Sequence, residues 1–101
     1  MSEIKQIAVS HTLAMYDQLL NKVKIIVNGI EIEKVVYRSR IQGDTLWKYV
    51  KLDETTQGMI TKAALVDSME REWYVKELNY QKGQKGFVIA FPIRLKIGVG
   101  E

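Results

Sequence analysis

Residues 81–86, QKGQKG, are where residue type and spacing first suggest chemistry, because lysines alternating with glycines are the raw material of a phosphate-gripping loop. Such a loop also needs a serine or threonine opening a helix, whose N-terminus then holds the anion. Here Phe87 follows and begins an apolar alternation, so the segment reads as a basic hairpin tip between two strands. His11 is the one histidine of the chain. A triad base or a zinc ligand needs clustered partners, and on a helix its neighbours Ser10 and Thr12 face elsewhere. The carboxylate groupings that acid–base work would use are Glu31 with Glu33, and Asp67 with Glu70 and Glu72. Both sets alternate with apolar residues, as the solvent side of a strand does. With no cysteine, thiolate nucleophiles, thiolate metal sites and disulfides are excluded. The expectation is a non-enzymatic protein with no cofactor.

Aromatic residues carry the remaining signal. WKYVK (47–51) and REWYVK (71–76) interleave rings with cations. Strand faces of that kind can stack nucleic-acid bases or bind sugars, and they also fill two-sheet cores or protein interfaces. Trp47, Tyr49, Trp73 and Tyr74 are therefore candidate binding or interface residues. The chain carries 15 basic and 12 acidic residues, net +3, with a pI near 9.2. The two signs are interspersed along the chain, which reads as a solvated surface and makes nucleic acid or carbohydrate the alternative expectation.

The elements that must position these residues follow from periodicity. A chain of 101 residues is one domain, divided as a helix over 1–22 and a β domain over 23–101. Val9, Leu13, Tyr16, Leu20 and Val23 form one helical stripe, widened by Ile4, Ile7, Ala8 and Met15. Val23 to Val27 is β-branched and runs into Asn28-Gly29, a strong hairpin signal. Alternation continues through 30–33, slips at 34–36 where a bulge or a bend between two sheets is expected, and resumes over 45–52, 59–66 and 71–80. Phe87, Ile89, Phe91, Ile93, Leu95 and Ile97 share one face, with Pro92 facing outward. Proline cannot donate to a ladder, so that strand belongs at a sheet edge, where a second subunit could cover it. With no helix between strands, parallel crossovers are unavailable. The expected fold is mainly β (α+β), an N-terminal helix followed by a six- to seven-stranded antiparallel β-sandwich or small barrel. The N-terminus lacks the apolar core of a secretory signal, and no stretch approaches the roughly 20 apolar residues of a membrane helix, so a soluble protein is expected.

Four segments together resemble a family of small proteins encoded beside tail and lysis genes in phages of Gram-positive bacteria. They are the N-terminal helix, KVKIIVNGIEIEKVV, ITKAALVDSMEREWYVKEL and FVIAFPIRLKI. The resemblance implies a virion protein of the tail or baseplate region, without catalytic residues. It would be present in the host cytoplasm during assembly and then in the particle, and would bind other virion proteins. On this reading the chain is a structural module that self-associates as a dimer or trimer through its sheet edge at Pro92 and its helix, whose stripe Val9, Leu13, Tyr16 and Leu20 either covers the sheet or pairs with copies of itself. A small phage inhibitor of a host protein is a further alternative.

Overall fold

The computed structural model describes residues 5–95. Among them the order is α1 (Gln6–Leu19), β1 (Lys22–Val27), β2 (Ile30–Val35), β3 (Arg38–Gln42), β4 (Thr45–Leu52), β5 (Gly58–Val66), β6 (Glu72–Lys82) and β7 (Phe87–Arg94). The strands form two antiparallel sheets, one ordered β2-β1-β5-β6 and the other β3-β4-β7. This is the expected helix-plus-sandwich, mainly β.

The first hairpin turns on Asn28 (φ 52°) and Gly29 (φ 78°), the two successive positive angles of a type I′ turn. Asn28 also ties the turn to β5, since its side-chain oxygen accepts from Met59 N at 2.9 Å. The slip at 34–36 is the passage between sheets: β2 ends at Val35, and β3 starts at Arg38 in the other sheet. β3 itself was not anticipated. Its residues RSRIQ are all exposed and lack the apolar alternation that marks a half-buried strand.

The two sheets meet over one core. Val23 and Ile25 from β1, Ile60, Ala63 and Leu65 from β5, Val50 and Leu52 from β4, and Ile89 and Phe91 from β7 interleave there. Tyr74 of β6 meets Phe91 edge-on across the gap, with centroids 6.0 Å apart. Phe87, Ile89, Phe91 and Ile93 do share the inward side of β7, while Ile97 lies outside the described residues. The strand is an edge of its sheet, as Pro92 required.

Two expectations change. The segment at 81–86 is no hairpin tip, because β6 and β7 lie in different sheets, and the loop crosses between them. Lys82 turns inward there and is buried, its Nζ donating to the carbonyls of Asp53 (2.6 Å) and Gly83 (3.0 Å). The helix is also narrower than its apolar residues suggested. It runs from Gln6 to Leu19, with Ile7 and Met15 exposed and Ala8 outside the core; Ile4 lies outside the described residues. Val9 and Leu13 pack on Leu46, Ile93 and Leu95 at the end of the three-stranded sheet, and Leu20 enters the main core. Of the two arrangements open to the stripe, Val9, Leu13 and Leu20 thus take the one in cis.

Candidate functional site

The three-stranded sheet has one face in the core and one outside. Pairing places Arg40 opposite Trp47 and Trp47 opposite Pro92, then Arg38 opposite Tyr49 and Tyr49 opposite Ala90. Directly opposed residues point to the same side of a sheet, so these six share the outer face. Leu46, Lys48, Val50 and Leu52 are all buried on the other side of β4. The rings of Trp47 and Tyr49 stand nearly parallel, 13° apart, with centroids separated by 6.4 Å. That separation is close to the two-residue repeat of a strand, about 6.5–7 Å. Trp47 and Tyr49 are half-buried, while Arg38 and Arg40 are exposed. Among the described residues neither arginine has a carboxylate within ion-pair distance.

Charge divides between the two outer faces in a way that its order along the chain conceals. On the four-stranded sheet Lys22 pairs with Glu33 and Glu70, Lys24 with Glu31 and Glu70, and Lys62 with Glu72. The Glu70 carboxyl is held below its ordinary range chiefly by the hydrogen bond from Lys24. That face is neutralised by its own side chains. On the three-stranded sheet the register adds Lys51 beside Tyr49 at one end and Arg94 opposite Thr45 at the other. Arg94 is paired with Asp44 at 2.9 Å, in the turn between β3 and β4. Interspersed signs in sequence have become a basic, aromatic face and a separate balanced one.

The other aromatic candidates do not join this face. Tyr74 is half-buried and packs against the core. Trp73 braces a turn and the helix: its Nε1 donates to Asp67 at 3.0 Å, and its ring meets Tyr16 edge-on at 5.2 Å. Asp67, read in the sequence as one of a solvent-facing set of carboxylates, is instead buried at this corner. It accepts from Met69 N, Arg71 N and Arg71 Nε as well, at 2.7–3.0 Å. The bond from Trp73 first, and those from Arg71 and Met69 next, outweigh burial and hold its carboxyl far below 3.8. An aspartate opening a turn, whose side chain can accept from the backbone two residues on, is the sequence signal for such a corner.

This has a consequence in acid. A carboxyl with a depressed folded pKa adds stability above its unfolded pKa and loses it as pH falls toward the folded value. Asp17, Asp44, Asp53 and Glu70 are shifted in the same direction. Stability should therefore decline steadily below about pH 4. Asp67→Asn should lower the urea midpoint at pH 7, with the gap to the parent narrowing by pH 2.5. An equal gap at both pH values would show that ionised Asp67 contributes nothing.

An open cleft of about 320 Å³ lies between the end of α1 and β1, β2 and β5, lined by Leu19, Lys22, Glu33, Val35, Val66 and Asp67 among others. Its charged groups are already paired within the fold. His11 is exposed on α1. Among the described residues no group of three or more histidines and carboxylates is placed to hold a metal ion, and no helix is long and apolar enough to cross a membrane. The chain matches no protein-family model, no curated protein and no solved structure.

Proposed function

We propose that this chain is a non-enzymatic binding module whose working surface is the outer face of the β3-β4-β7 sheet. The observation that carries the reading is the parallel Trp47–Tyr49 pair, standing outward in register with two exposed arginines. Packing does not account for such a row, since the core lies on the opposite side of β4. Rings held on a strand lose little freedom when a flat ligand stacks on them, and the β-sandwich behind them acts as a rigid mount. The helix supports this arrangement from the inner side, and the self-association expected of its stripe has no exposed counterpart in Val9, Leu13 or Leu20. As a setting, the resemblance to tail- and baseplate-region proteins supports a phage virion; finding the chain among the proteins of purified particles would test that.

The module reading is tested through Trp47 emission in a Trp73→Phe background. Saturable quenching by a member of a panel of single-stranded oligonucleotides and neutral oligosaccharides is the expected result. No response from any of them, in a protein folded by circular dichroism, would refute the reading.

A further inference from the structure

Resting on that module reading, we infer that the face takes single-stranded nucleic acid. Two like units, each an aromatic ring with an arginine opposite, follow along the strands: Trp47 with Arg40, then Tyr49 with Arg38. Opposed side chains start about 5 Å apart, so each unit offers a ring for a base and a guanidinium for the adjoining phosphate. The ligand would run along the strands, bases over β4 and phosphates over β3. Lys51, beyond Tyr49 on β4, adds a third cation at one end, while Arg94 lies across β4 on β7 and is engaged by Asp44.

Charge complementarity selects this occupant. Arg38 and Arg40 are exposed without an ion-pair partner among the described residues, and Asp44, in the turn between β3 and β4, is engaged by Arg94. A neutral sugar has no use for such cations, and sugar hydroxyls are usually met by carboxylates and amides, of which the face presents only Gln42. A duplex keeps its bases stacked inside, out of reach of rings on an open sheet, whereas every unpaired base has a face to stack. A sulfated polysaccharide would meet the arginines and leave the rings idle.

The experiment is anisotropy of labelled oligothymidylate and oligouridylate titrated with the full chain over a range of salt. Saturable binding should weaken with salt at a log–log slope of about −2, from about −0.7 per neutralised phosphate for the three cations Arg38, Arg40 and Lys51. Arg38→Gln with Arg40→Gln, both at exposed positions, should reduce that slope by about 1.4. Trp47→Ala with Tyr49→Ala should weaken binding about tenfold or more. Lys22→Gln with Lys24→Gln removes equal charge from the opposite sheet and should change affinity less than twofold. The inference is overturned if neither oligonucleotide binds, if the lysine pair matters as much as the arginine pair, or if removing both rings has no effect, as for heparin-like attraction to charge. Quenching of Trp47 by a neutral oligosaccharide alone would overturn it while leaving the module reading intact. Failure of the whole panel to reach Trp47 would remove both.

Discussion

Leu13→Asp is expected to unfold the chain rather than to separate copies of it. Leu13 is fully buried between α1 and the end of the three-stranded sheet, against Val9 and Leu46. Truncation to alanine alone should cost about 2–5 kcal/mol, the range for buried leucine sites. A carboxylate there adds the cost of an unpaired buried charge, or of the proton needed to neutralise it. Together these rival the whole stability of a small domain, about 5–15 kcal/mol. The helix has little to fall back on. It is 14 residues long, Lys5 supplies no side-chain cap, and its first turn has no acidic residue to complement the dipole. A helix of that length is marginal in water without its packed face. Urea unfolding followed by circular dichroism should show no native baseline for Leu13→Asp and a midpoint lowered but present for Leu13→Ala. A folded Leu13→Asp protein with a smaller mass by light scattering would instead restore the stripe as an interface between copies.

That stripe shows where the sequence was legible and where it was not. Local signals survived folding: the Asn28-Gly29 turn, the run over 45–52 and the outward Pro92 all stand where residue pattern put them. What failed was non-local. Helical spacing says that Val9, Leu13 and Leu20 need a partner surface, but not whether it lies in the same chain. The link at 81–86 resembles a hairpin because turn chemistry is local, while sheet membership depends on which distant strand pairs with which. Arg38, Lys51 and Arg94 are scattered in sequence, and register alone brings them onto one face. Lys48 was within reach: it sits at even spacing among Leu46, Val50 and Leu52, so alternation itself sends it inward.

The inward lysine provides the second large effect. Lys48 is fully buried, and its Nζ donates to the Asp17 carboxylate, to the Asp17 carbonyl at 2.9 Å and to Ser39 Oγ at 2.9 Å. Burial opposes ionisation of Asp17, yet the hydrogen bonds from Lys48 and Ser39 and the Lys48 charge together lower its pKa. The pair joins α1 to β4, and Ser39 extends it to β3. Removing one partner of a buried pair typically costs about 3–5 kcal/mol, because the other charge is left uncompensated. The Asp17 side chain is 35% exposed, so water recovers part of that, and Asp17→Ala should cost about 2–3 kcal/mol. Lys48→Met removes the charge and keeps the length of the side chain. Replacing buried ionic groups by apolar ones of similar volume is often neutral or stabilising, so this variant should be the milder of the two despite losing the same ion pair. With both changes present the loss should be smaller than the sum of the two, since each removes the same interaction. Chemical denaturation of the four proteins gives the cycle directly. If Lys48→Met proves the more damaging change, the pair is a net source of stability. Lys48 lies between Trp47 and Tyr49, and Ser39 between Arg38 and Arg40. The buried pair therefore anchors, from the inner side, the two strands that carry the proposed binding row. Oligonucleotide affinity should then fall in Asp17→Ala and, to a smaller extent, in Lys48→Met, under conditions where both proteins remain folded.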